Sequence, residues 1–106
     1  PSDRPPGDTL AMLQRIMEHA QEADDRVLIL SRAATVRTME CVRWVAGYLD
    51  DAALAQAACV ALVELAHHRE LRHPHMDEFG PLLDKVAALS TDAAIVQRAK
   101  RYRLGL

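Results

Sequence analysis

The apolar residues of this chain are mostly alanine and leucine, and they recur at the three- and four-residue spacing of a helix face. Alanine and leucine are strong helix formers, whereas strands favour the β-branched and aromatic residues that are scarcer here. Hydrophobic residues make up 50% of the sequence but aromatic residues only 4%, and there are four glycines and five prolines. Such sparse helix breakers favour a few long helices with short loops. The sequence therefore predicts an all-α fold.

Apolar stripes, with capping residues between them, predict six helices. They are expected over residues 8–21, 24–34, 38–49, 52 to 68 or 71, 77–89 and from 92 onwards. The first and last helices are apolar on one side, whereas the fourth is apolar almost all round and is expected at the centre of the core. Residues 1–7 are expected to be a disordered tail or linker, and residues 8–106 a single domain.

One segment of the sequence is repeated. Residues 51–58 align with residues 92–99 at an offset of 41. A period of about 40 residues with two helices per unit is typical of HEAT and armadillo arrays. Stacking such helix pairs buries apolar surface that one pair leaves exposed. We therefore expect a short right-handed stack of antiparallel helix pairs, a HEAT/armadillo-like superhelix of five to six helices.

The run from Tyr48 to Ala58 reads YLDDAALAQAA, and it resembles the repeat junction of bacterial HEAT-like proteins. In that family one helix ends in a YLDD-like segment and the next opens with an alanine-rich run. The resemblance extends over about residues 24–104. Similar modules accompany 3-keto-disaccharide hydrolase-type domains and cytochrome or dehydrogenase-type domains in exported bacterial proteins. The resemblance thus implies a module of a larger bacterial protein with a periplasmic or exported location.

The charge of the chain narrows the classes of partner. Thirteen basic and fifteen acidic residues give a formal net charge of −2, which makes nucleic-acid binding an unfavoured function. No apolar run approaches the ~20 residues of a membrane-spanning helix. Residues 1–25 carry six acidic and two basic side chains, and residues 92–106 carry one acidic and four basic. This distribution has two interpretations: a solvated end cap, or opposite charge that favours head-to-tail contact with neighbouring repeats or domains.

No arrangement of residues in the sequence indicates catalysis or a bound cofactor. The Gly-x-Ser-x-Gly motif and glycine-rich phosphate loops are absent, and both Asp-Asp pairs fall at predicted helix starts, where capping explains them. Cys41 and Cys59 lie in apolar helical patterns and are expected to be buried, with a bridge between helices left open. The chain opens with proline instead of methionine, so we expect a processed chain or part of a longer protein. We predict that it is not an enzyme.

Four histidines lie close together in the sequence, at His67, His68, His73 and His75. Ligands three or four residues apart share a helix face, and Glu64 has this spacing to two of these histidines. A metal site is therefore one interpretation. The other is a solvated helix end, where imidazoles suit the carbonyl groups of the last turn. The absence of a His-Glu-x-x-His pattern favours the helix end.

An interaction surface is expected on the second helices of successive pairs, which line the concave face of such a stack. The sequence assigns residues 38–49 and 77–89 to these helices. The side chains expected to point outward are Arg37, Glu40, Arg43, Asp84 and Lys85. Trp44 is either an anchor for a partner, since tryptophan is enriched at interface hot spots, or a core residue between pairs.

The predicted function is a non-catalytic scaffold or protein-interaction module that binds a protein partner or an adjacent domain of the same polypeptide. One alternative is an accessory domain that helps a neighbouring catalytic domain to bind carbohydrate. The other is a small metal-binding helical domain that uses the histidines of residues 67–75.

Overall fold

The computed structural model describes residues 5–106, and every regular element in that range is helical. Six of these helices have eight residues or more, and one is a single turn. They are α1 (Pro6–His19), α2 (Ala23–Ala33), α3 (Met39–Ala46), α4 (Ala55–Ala66), α5 (Arg69–Arg72), α6 (Met76–Leu89) and α7 (Ala93–Arg103). Short 3-10 turns, Gly47–Asp50 and His73–His75, follow α3 and precede α6. The predicted all-α fold of five to six helices is confirmed, and residues 1–4 of the expected tail lie outside the described range.

Local capping explains where several helices begin. The Thr38 hydroxyl accepts a hydrogen bond of 3.1 Å from the Cys41 amide at the start of α3. The Asp92 carboxylate accepts one of 2.9 Å from the Ala94 amide at the start of α7. Helix α1 begins at Pro6, earlier than predicted, because proline suits the first turn, where its missing N–H needs no partner.

The fourth helix is shorter than the sequence predicts. The expected capping of this helix by its Asp-Asp pair is wrong: the Asp51 carboxylate accepts a hydrogen bond of 3.0 Å from the Ala53 amide within a turn, and α4 starts only at Ala55, after Leu54, without a side-chain cap. At the other end α4 stops at Ala66, and the chain turns before α5. Arg72 reaches back from α5 and donates to the Ala66 carbonyl, so it satisfies an acceptor that the helix end leaves free. A contact of this kind cannot be inferred from helical periodicity.

Consecutive helices pair as three hairpins: α1 with α2, α3 with α4, and α6 with α7. Helix α4 lies in the middle, in contact with α2, α3, α6 and α7, as its apolar surface predicts. Leu62 and Leu65 of α4 pack in one core with Phe79 and Leu83 of α6, and all four are almost completely buried. None of the helices within residues 5–106 is long and apolar enough to cross a membrane.

The two cysteines are free and buried. The Cys41 thiol donates to the Ala33 carbonyl at 3.2 Å, and burial raises its pKa to about 12. Burial also raises the pKa of Cys59. Because the thiolate is the reactive form, both side chains act as small buried hydrophobic groups.

Candidate functional site

Two ion pairs join the α3 region to α6 on one exposed side of the molecule. The Arg43 guanidinium donates to both carboxylate oxygens of Glu78, at 2.7 and 2.9 Å, and the Lys85 ammonium lies 3.1 Å from Asp50. On α6, Glu78 and Lys85 are seven positions apart, a spacing that places them on one helix face. Arg43 and Lys85 thus lie on the same exposed side, but each is engaged with a carboxylate of its own chain.

The Arg43–Glu78 ion pair modifies the ionisation of the Glu78 carboxyl. The Arg43 guanidinium holds the pKa of the Glu78 carboxyl below its ordinary value of 4.5. The pair therefore stabilises the fold above that ordinary value, and its contribution is lost as the pH falls through the lowered pKa. Since the Arg43 side chain is 54% exposed, solvent screening keeps this contribution small.

The other residues of the predicted surface do not form one patch with Arg43 and Lys85. Asp84 lies on the flank of α6 that faces α7, where it accepts hydrogen bonds of 3.2 Å from Arg103. Trp44 is half-buried against the core and meets Tyr48 edge to face, with ring centroids 5.6 Å apart. The predicted set is therefore divided between two sides of α6 and a partly buried aromatic pair.

The pairing of helices differs from the one on which the predicted concave surface depends. Helices α3 and α6 are the first members of their hairpins, not the second. The second members, α2, α4 and α7, lie side by side, with α4 between the other two. Arg37 and Glu40 are exposed near the start of α3 and form no ion pair within residues 5–106.

The side-chain hydrogen bonds between the second and third hairpins follow one register. In the described part of the chain each of them joins residues 34 or 35 positions apart. They are Arg43–Glu78, Asp50–Lys85, Gln56–Ser90, Gln56–Thr91, Glu64–Arg98 and His67–Tyr102. A constant separation along the whole seam means that the two hairpins run side by side in the same direction.

The sequence repeat and this register describe different relations. Asp51 and Asp92, which the repeat offset of 41 relates, each accept a hydrogen bond from the amide two residues further on. The repeat therefore matches two equivalent aspartate–amide contacts: at Asp92 the contact caps α7, whereas at Asp51 a turn separates it from α4. The hydrogen bonds between the hairpins instead join residues 34 or 35 positions apart. Each residue therefore contacts a position roughly two helical turns before the one that the repeat offset of 41 makes its equivalent.

Tyr102 is the centre of a polar cluster at the C-terminal ends of α4 and α7. Its hydroxyl lies 2.9 Å from His67 Nδ1 and 3.3 Å from two nitrogens of Arg98, which also donates to Glu64 at 2.6 Å. The face of its ring receives the Arg72 guanidinium, 4.7 Å from the centroid. Sequence reasoning missed this cluster. The four-residue spacing of Arg98 and Tyr102 signals one of its contacts, but the others come from separate helices.

The four histidines of the sequence cluster make different contacts, although the rings of His67 and His68 meet edge to face with centroids 5.4 Å apart. His67 is bonded to the tyrosine hydroxyl, His73 lies 3.4 Å from an Arg72 nitrogen, and His75 ends the 3-10 turn before α6. Burial lowers the pKa of His68, which favours its neutral form. Within residues 5–106 no group of three or more His, Cys, Asp or Glu side chains could hold a metal ion.

An open groove of about 370 Å³ lies between α2 and α4. Its lining residues are Val27, Ser31, Ala34, Ala57, Val60, Ala61 and Glu64. Val27 and Val60 are 39% and 36% exposed, although the sequence predicts that the helix carrying Val60 lies at the centre of the core. Within the described range no side-chain hydrogen bond joins these two helices. We call this feature the α2–α4 groove.

Comparisons with known protein families, curated proteins and solved structures find no match. The HEAT-like resemblance of residues 48–58 stays an expectation.

Proposed function

We propose that this chain is a non-catalytic, HEAT-like helical-repeat module that binds a protein partner or an adjacent domain of the same polypeptide. The observation that carries the proposal is the open α2–α4 groove. Polar side chains such as Gln56 and Arg98 bridge the second and third hairpins, whereas apolar side chains face solvent between α2 and α4. Exposed apolar side chains grouped in a groove mark contact sites, because binding removes them from water.

The shape of the groove fits the apolar face of an amphipathic helix. Ala34, Ala57 and Ala61 have small side chains that let another backbone approach closely. Val27 and Val60 offer larger apolar surfaces from the two opposing helices. A partner helix would present side chains to this surface at spacings of three and four residues.

One carboxylate at the groove sets the charge expected on the partner. Glu64 lines the groove, is 45% exposed and is engaged with Arg98 through its Oε1 oxygen. A carboxylate at the edge of an apolar surface favours a lysine or arginine on the opposing molecule. We therefore expect a partner helix that is apolar on one side and basic at its rim.

Selection from a displayed library of helical peptides tests this function. Calorimetry measures the affinity of the selected peptides for the unchanged chain and for two variants. Val60→Asp places a charge in the groove, and the control Leu89→Asp places one at a leucine of similar exposure outside it, 42% against 36%. We expect amphipathic, basic-rimmed peptides whose affinity falls by about tenfold or more in Val60→Asp and is unchanged in Leu89→Asp.

Circular dichroism of both variants establishes that they are folded. Two results would contradict the proposal: a selection that yields no peptide above background, or peptides that bind Val60→Asp as tightly as the unchanged chain.

A further inference from the structure

A separate apolar surface lies on the first hairpin. A groove of about 430 Å³ between α1 and α2 is lined by Ile16, His19, Ala20, Asp25, Leu28 and Ile29. Ile16 and Leu28 are 46% and 54% exposed, which is high for large apolar side chains. We call this the front groove, and it shares no lining residue with the α2–α4 groove.

One acidic side chain, Asp25, lines the front groove, and three others lie near it in the sequence around the link from α1 to α2; we call this acidic set the rim. Glu18, Glu22, Asp24 and Asp25 lie at the end of α1 and the start of α2, and all four are exposed. Within residues 5–106 none of them forms an ion pair. Arg26 follows them directly, but it is half-buried and its Nε donates to a main-chain carbonyl at 2.9 Å. The front groove thus combines exposed apolar surface with unpaired negative charge.

The end of α7 presents apolar groups on an ordered turn. Gly105 has φ of +85°, and the amides of Gly105 and Leu106 donate to the carbonyls of Tyr102 and Arg101. This is a Schellman turn, which uses the left-handed conformation that glycine adopts without steric cost. The turn holds Leu104 and Leu106 at 77% and 64% exposure. These leucines therefore face solvent although the backbone that carries them is hydrogen-bonded.

Basic side chains accompany these leucines. Lys100 and Arg101 are exposed and form no ion pair in the described part of the chain. The other two arginines of α7 are each engaged with a carboxylate of the same molecule. We call Lys100, Arg101, Leu104 and Leu106 the back end. It matches the front groove in apolar character and opposes it in charge.

The two surfaces lie on opposite sides of α4, because α2 and α7 pack against different flanks of that helix. We propose that a second copy of this chain inserts its back end into the front groove, with Lys100 and Arg101 facing the acidic rim. Opposite charge selects the partner, and the ordered turn reduces the conformational entropy lost on binding. The contact is head-to-tail, so one front groove and one back end stay unoccupied in a pair of chains. Further copies can therefore bind at either side of the pair.

Sedimentation velocity over a wide concentration series tests this association. The average mass of the unchanged chain is expected to rise with concentration, more at low than at high salt. Two variants reverse the charges, D24K/D25K at the rim and K100E/R101E at the back end. Each variant by itself is expected to self-associate with an affinity at least about tenfold lower than that of the unchanged chain. A mixture of the two variants has opposite charges across the contact again, so mixing is expected to restore association.

A second pair of variants tests the apolar part of the contact. Leu104→Ser with Leu106→Ser is expected to lower the average mass, whereas the control Leu89→Ser, outside both surfaces, is expected to leave it unchanged. The proposal is overturned by a chain that stays monomeric throughout, by a mixture that fails to associate, or by an equal loss in Leu89→Ser. Val60→Asp, which changes the α2–α4 groove, is expected to self-associate as the unchanged chain does. A result that contradicts the proposed function of the α2–α4 groove is therefore distinguishable from one that contradicts this contact.

Discussion

The buried side chain of Arg72 caps the C-terminal end of α4, a helix that the sequence pattern predicts to continue beyond Ala66. Its guanidinium is fully buried, Nη1 donates to the Ala66 carbonyl, and the group packs on the Tyr102 ring. Its Nε has no hydrogen-bond partner. Burial lowers the pKa of Arg72, although an arginine stays charged at neutral pH. A buried cation costs free energy, so these contacts must offset the loss of hydration.

We predict that Arg72→Ala lowers the free energy of unfolding by about 3 kcal/mol, because it leaves a cavity and an unsatisfied carbonyl. Arg72→Met keeps most of the volume and removes the buried charge, so its effect is expected to be less than half as large. The control Arg69→Ala, at an exposed position of the same short helix, is expected to change the value by about 0.5 kcal/mol or less. Urea unfolding measures all three, and equal losses for the alanine and methionine variants would contradict the packing role.

Between helices, the strength of an ion pair depends on its exposure. Glu64 and Arg98 join α4 to α7 at 2.6 Å, with side chains 45% and 28% exposed. Asp50 and Lys85 join neighbouring elements in nearly the same register, but at 3.1 Å and with 78% and 46% exposure. Solvent screens exposed charges, so the α4–α7 pair is expected to couple its helices more strongly.

A double-mutant cycle of Glu64→Gln and Arg98→Met is expected to give a coupling free energy of about 0.5–1 kcal/mol. The matched cycle of Asp50→Asn and Lys85→Met is expected to give a value indistinguishable from zero. Urea unfolding of each set supplies both values. A stronger coupling in the second cycle would show that exposure does not decide the contribution.

Helix starts were more predictable than helix ends. Thr38 and Asp92 cap amides two or three residues away, so the sequence contains both partners of each contact. The end of α4 instead depends on Arg72, whose burial requires Tyr102 from another helix. Sequence patterns do not report such partners.

Across the whole molecule, the stacked hairpins place the histidines in different environments. His67 is bonded to Tyr102, whereas His73 and His75 belong to the turn that leads into α6. This arrangement provides no set of three metal ligands within residues 5–106.

Saturating Zn²⁺ or Ni²⁺ is expected to leave Tm unchanged within about 1 °C, because only a ligand that binds the native state preferentially raises it. Thermal unfolding followed by circular dichroism measures this. The control is the same chain with a chelator. A rise of several degrees that the chelator reverses would contradict the prediction and favour a metal-binding domain.

The sequence by itself determined the all-α class and most helix starts, because helix propensity, apolar spacing and capping act over a few residues. Only the tertiary structure decided which helices pair and which polar side chains meet, because those contacts join residues 34 or 35 positions apart. It also decided which apolar residues are core. Val60 and Leu62 belong to the same apolar helix, yet one lines an open groove and the other is buried, since burial depends on which neighbouring helix covers each side.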